Sequence, residues 1–190
     1  MAVAAQKLTY EEYLAMPEMK RRYEIIDGEL RMSPAPIPFH QWIVGNLYRA
    51  LHGFVALNRL GIVLLAPVDI IIRRDPLRTR QPDILYLSAE RSGIAGGAQL
   101  QGLQLLQHAP DLVIEVLSPT NSRRETADKL EDYRAIGVRE CWIVSPEAQT
   151  VEVLRLSPEE IHTLGIFGTG MTVRSEVLAE LALPVDQIFA

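Results

Sequence analysis

Two carboxylates stand out by the company they keep. Glu115 lies within Asp111-Leu112-Val113-Ile114-Glu115-Val116-Leu117. As a strand, this run puts Leu112, Ile114 and Val116 on one face and Val113, Glu115 and Leu117 on the other. Both faces are apolar apart from Glu115, which predicts a strand buried on both sides. A charge placed there needs a cation, a proton or a full set of donors. Asp83 opens a second β-prone run, Pro82-Asp83-Ile84-Leu85-Tyr86-Leu87, where a proline suits the start of a strand. Lys129 follows on the next predicted helix. Two acids on neighbouring strands with a lysine facing them make a divalent-metal site for phosphodiester hydrolysis.

Each residue also has a plainer reading. Asp83 suits a strand entrance or a turn. Glu115 suits an ion pair with an arginine in the core or at a dimer interface. Lys129 has Glu125 four residues earlier, the favoured order for an exposed helix pair. Other chemistries find less support. The four histidines (His40, His52, His108 and His162) show no zinc-ligand spacing. No Gly-x-Ser-x-Gly elbow occurs, and Gly93, Gly96, Gly97 and Gly102 match no phosphate-binding fingerprint. Oxygen ligands on strands point to magnesium or manganese.

The elements that must position these residues are legible. Thr9 and Glu12 bracket the start of a short helix. Residues 23–32 read as a β-hairpin around Asp27-Gly28. A proline-rich joint (Pro34, Pro36, Pro38) leads into a helix from about His40 to Leu57, with Ile43, Leu47, Ala50, Leu51 and Phe54 at helical spacing. Residues 62–72 form a strand run broken near Pro67. Ser122-Arg123-Arg124-Glu125 is a capping box, opening a helix that ends at Gly137. Strands follow at 139–144 and 150–156. The tail, 171–189, alternates enough for a strand. This order indicates a mixed α/β sheet.

Composition bounds the rest. At 190 residues, 48% hydrophobic and 23% charged, the chain suits one globular domain. No apolar stretch approaches the roughly 18 residues of a membrane span, and the N-terminus lacks the pattern of a signal peptide. The single cysteine, Cys141, fits a core thiol in a reducing cytoplasm. A net charge of −5 argues against a general nucleic-acid coat. Basic residues are nonetheless concentrated at Arg73, Arg74, Arg78 and Arg80, read as a loop leading to Asp83. That loop is either solvated or in contact with phosphates.

The motifs also carry a resemblance. Pro82-Asp83, then Ile-Glu-Val-Leu-Ser-Pro around Glu115, then Lys129-Leu130-x-x-Tyr133-x-x-x-Gly137-Val138-x-Glu140-x-Trp142 resembles the Uma-two family of candidate restriction endonucleases. Residues 23–30 and His40-Gln41-x-Ile43-x-Gly45-x-Leu47 are similar to its N-terminal motifs. The family is placed in the PD-(D/E)XK nuclease superfamily, and the likeness covers roughly 8–189. It implies a restriction-endonuclease-like fold, a mixed β-sheet flanked by helices with an N-terminal β-hairpin. Asp83, Glu115 and the Val116 carbonyl would bind the metal, with Glu24 and His40 as accessories. The superfamily lysine would stand two residues after Glu115, where this chain has Leu117. Lys129 is the matching position for a lysine that has migrated to the following helix.

The expectation is a single restriction-endonuclease-like domain over 1–190. It would be a magnesium- or manganese-dependent endonuclease acting on DNA in the cytoplasm, with no membrane partner; a homodimer would be the simplest way to cut both strands. The alternative is a catalytically silent nucleic-acid-binding or oligomeric interaction module on the same fold.

Overall fold

The computed structural model describes residues 7–190, apart from Glu18, Lys20, Gln104 and Thr120. The Thr9 capping box opens α1 (Tyr10–Leu14). Strands β1 (Tyr23–Ile26) and β2 (Glu29–Met32) turn on Asp27 and Gly28. Their φ angles of 53° and 83° are the left-handed pair that a two-residue hairpin loop needs. Pro38 then begins α2 (Pro38–Leu57), which buries Ile43, Leu47, Leu51 and Val55.

Four strands follow: β3 (Gly61–Leu65), β4 (Ile70–Arg74), β5 (Leu77–Arg80) and β6 (Ile84–Ser88). Next come the short α3 (Ala89–Ser92), β7 (Leu112–Val116), α4 (Arg123–Ala135) and β8 (Glu140–Ser145). The chain closes with β9 (Thr150–Leu156), β10 (Ile161–Phe167), β11 (Thr172–Arg174), β12 (Ala182–Pro184) and α5 (Asp186–Phe189).

The main sheet has six strands in the order β10-β9-β8-β7-β6-β3. Only β7 and β8 run parallel within it. Parallel neighbours need a crossover, and α4 supplies it, opened by the Ser122–Glu125 capping box. Gly137, with φ of 84°, takes the left-handed turn just past the helix end. Every residue of β7 is buried. Leu112, Ile114 and Val116 pack with α2, whereas Val113 and Leu117 pack on the opposite side with Tyr133 of α4. The alternation read from the sequence is therefore the alternation of the sheet. Cys141 of β8 lies opposite Val113, fully buried in the same core as Tyr133.

The β1–β2 and β4–β5 hairpins stand beside this sheet and hold each other. The Ile25 amide donates to Thr79 Oγ1 at 3.0 Å, and the Gly28 amide donates to the Leu77 carbonyl at 2.8 Å. Tyr13, Ile25 and Leu77 form a small core between them.

Three stretches differ from expectation. Residues 73–80 form the β4–β5 hairpin instead of a loop, because Leu77 and Thr79 turn inward beneath β1. The tail is a short β11–β12 hairpin followed by α5, not one strand. β10 carried no clear signal, since as an edge strand it has no fully buried residue to mark an alternation. Among the described residues, no helix is long and apolar enough to cross a membrane.

Candidate active site

Strands β6 and β7 pair antiparallel with Ile84 opposite Ile114. One step outward, the same register sets Asp83 opposite Glu115, and opposed residues of an antiparallel pair share a face. The Val116 amide donates to Asp83 Oδ2 at 2.8 Å, which ties that acid to the end of β7. Both carboxylates are almost wholly buried, at 5% and 8% exposure.

Helix α4 lies over this face and delivers two donors one turn apart. Lys129 Nζ is 2.8 Å from Glu115 Oε2, and the Tyr133 hydroxyl donates to Glu115 Oε1. Lys129 also lies 3.7 Å from Glu24 Oε1, brought in by β1. From the other side, Arg22 Nη1 donates to Asp83 Oδ1 at 2.6 Å, and Arg22 Nη2 bonds the Gln81 carbonyl. His40, in the first turn of α2, places Nε2 3.0 Å from the Val116 carbonyl and 3.4 Å from Asp83 Oδ2.

The structure thus draws Asp83, Glu115, Val116, Lys129, Glu24 and His40 together. The four arginines, read from the sequence as either solvated or in contact with phosphates, each have a partner within the protein. Arg80 is buried between Glu24, at 2.8 Å, and Asp132, at 2.6 Å. Arg78 bonds Asp132 at 2.7 Å. Arg73 pairs with Asp27, and Arg74 lies exposed over the Tyr10 ring. Arg78 and Arg80 are therefore counter-ions of the scaffold. Among the described residues, Glu115, Lys129, Glu24, Arg80, Asp132 and Arg78 form one chain of ion pairs that runs on through Asp27 to Arg73, and the Arg22–Asp83 pair stands beside it, so five carboxylates face five cations.

These surroundings push the two central acids apart. Burial raises the Asp83 carboxyl, but the His40 contact and the Arg22 charge outweigh it and hold the group at about 2. Glu115 moves upward, because burial together with the nearby Asp83 charge prevails over Lys129 and Tyr133. For Lys129, burial is overcome by the Glu115 and Glu24 charges, and the ammonium is held above its ordinary value. Glu24 is likewise depressed against its own burial by Lys129 and Arg80.

The donor set suits a small hard cation. Asp83, Glu115 and the Val116 carbonyl are oxygen ligands. His40 meets two of these oxygens through Nε2, while its Nδ1 is buried without a hydrogen-bond partner. Among the described residues, no three Asp, Glu, His or Cys side chains converge into a ready-made cage. Magnesium needs none, since one or two carboxylates, water and a substrate phosphate hold it.

Arg22, Tyr133 and Asp132 were missed from the sequence. Tyr133 had a signal: it stands four residues after Lys129 and so shares its helix face. Arg22 and Asp132 had none, because their partners lie 61 and more than 50 residues away in the chain.

The chain is similar to the crystal structure of "a putative nuclease belonging to DUF820" from Anabaena variabilis. The two are 24% identical, with 96% of this chain and 97% of that chain covered and a TM-score of 0.78, a likeness of fold. No curated protein matches at a significant level. A family profile described as "Putative restriction endonuclease" matches residues 10–186, a span that holds both acids, the helix lysine and their hairpin partners. Matched from α1 into α5, the chain belongs to the Uma2 (Uma-two) family.

Proposed function

We propose that the chain is a metal-dependent endonuclease that hydrolyses phosphodiester bonds in DNA. The observation that carries this reading is the convergence of Lys129 from α4 on Glu115, in register with Asp83. Asp83, Glu115 and the Val116 carbonyl would hold magnesium or manganese, which supplies an acidified water and offsets charge on the phosphate. Lys129 would orient that water or donate to the pentacovalent phosphate. Tyr133 fixes the Glu115 carboxylate through Oε1, leaving Oε2 to Lys129. Glu24 holds the ammonium from its far side. The protein would work in the cytoplasm as a single domain, and a homodimer would place two such sites against two strands.

One observation favours the silent alternative. Every acid of the cluster already has a cation, which is what a purely structural ion network would show. A nuclease assay on plasmid and linear DNA with magnesium, manganese or chelator separates the two. Metal-dependent cutting by the wild type, lost in the Asp83→Asn/Glu115→Gln double variant, supports the enzyme. Equal and negligible cutting by both proteins refutes it.

A further inference from the structure

Arg22 has no part in the arrangement of two acids and a lysine, yet it holds one of the acids. Its guanidinium donates to Asp83 Oδ1 at 2.6 Å. Asp83 Oδ2 is already taken by the Val116 amide and lies near His40. Oδ1 is therefore the oxygen open to a further ligand, and Arg22 occupies it. The backbone of Arg22 is fixed independently, its carbonyl accepting from the Ser33 amide at 3.0 Å. Rotation of the side chain alone would release Asp83 without disturbing the β1–β2 hairpin. Among the cations paired with Asp83, Glu115 and Glu24, Arg22 is the most open, at 23% exposure against 19% for Lys129 and 7% for Arg80.

Charge balance sets the second demand. Five carboxylates already match five cations, so a dication entering alone leaves two uncompensated positive charges in a largely buried site. Such an excess is unfavourable at low dielectric. A phosphodiester brings negative charge, and a guanidinium that moves from a carboxylate oxygen to a phosphate oxygen keeps a charge-assisted bond.

We propose that Arg22 occupies Asp83 Oδ1 until metal and nucleic acid bind together, and that it then becomes a phosphate ligand of the substrate. This rests on the metal-dependent reading above. Two readouts besides turnover test it, on the wild type, Arg22→Ala and Arg22→Lys, each first checked for an intact fold by circular dichroism. Calorimetric titration with Mn²⁺ alone should show Arg22→Ala binding the ion roughly 10-fold more tightly than the wild type, as expected when a competing charge is removed. Binding of a labelled duplex in Ca²⁺ should weaken, and the slope of log affinity against log salt should fall by about 0.9, one phosphate contact. Arg22→Lys should restore most of that slope.

Unchanged or weaker Mn²⁺ binding by Arg22→Ala overturns the proposal, as does an unchanged salt slope. If Arg22→Ala does not fold, Arg22→Gln, which removes the charge but keeps a polar side chain of similar reach, takes its place with the same two readouts: tighter Mn²⁺ binding with a lowered salt slope upholds the proposal, and failure of either overturns it. A wild type that takes up no Mn²⁺ even with DNA present removes the metal-dependent reading, and this inference with it.

Discussion

The ammonium of Lys129 lies 2.8 Å from Oε2 of Glu115, on the β-strand that precedes its helix. Glu125, one turn back and the natural partner for an exposed pair, instead folds onto the Ser122 amide at 2.8 Å. The capping box thus removes the competitor and leaves the lysine to the sheet. Lys129→Ala is expected to lower turnover at least roughly 100-fold, the loss of one transition-state donor. Mn²⁺ affinity should survive. Single-turnover cleavage beside a metal titration checks both, and near-normal turnover would remove Lys129 from the chemistry.

Tyr133→Phe tests the second donor. Its hydroxyl bond favours the ionised form of Glu115, so its loss should raise that carboxyl further. The acid limb of the kcat/KM profile should move to higher pH. The fold should weaken by about 1–3 kcal/mol, the loss of a bond to a buried carboxylate. An acid limb that stays in place would show that Glu115 does not govern it.

The two acids should part company as pH falls. The folded value of Asp83, about 2, lies below the unfolded one. Its stabilisation is complete above the unfolded value of about 3.9 and is lost as pH falls through the folded value, on the order of 2 kcal/mol. Glu115 has the opposite sign. With its folded value raised, its stabilisation is present below the unfolded value and lost as pH rises through the folded one. Metal-free Asp83→Asn should therefore be weakened near neutrality and lack the acid step. Glu115→Gln should keep wild-type stability there while losing metal-dependent cutting. Urea unfolding from acid to neutral pH measures this. A large loss in Glu115→Gln would make Glu115 the anchor of a structural ion pair.

Arg80→Ala should act on the fold. It strands Glu24 and Asp132 in a buried setting, and breaking such a pair costs about 3–5 kcal/mol. Arg78→Ala should leave the salt dependence of DNA binding unchanged, since that guanidinium is engaged by Asp132. A lowered salt slope for Arg78→Ala would return the residue to phosphate contact.

The sequence was readable where chemistry is local. The Asp27-Gly28 turn, the two capping boxes and the two-faced strand around Glu115 each depend on neighbours within a few residues. The destination of Arg80 was not readable, because nothing beside it in the chain announces Glu24 or Asp132. Lys129 fell between these cases. Its spacing allowed a surface pair or a buried one, and only the docking of α4 against β7 decides which oxygen receives the ammonium. β10 stayed hidden for another reason: a half-exposed edge strand does not have to alternate.

The single thiol of the chain offers a clock for that docking. Cys141 is fully buried under the α4 face, in the same apolar cluster as Tyr133, and burial pushes its thiol well above the ordinary range. The group is inert while the helix is seated, since reaction requires an accessible thiolate. Its rate of alkylation in native buffer therefore counts excursions in which α4 lifts from the sheet. Those same excursions carry Lys129 away from Glu115, so one labelling rate gauges how long the lysine stays in place between them.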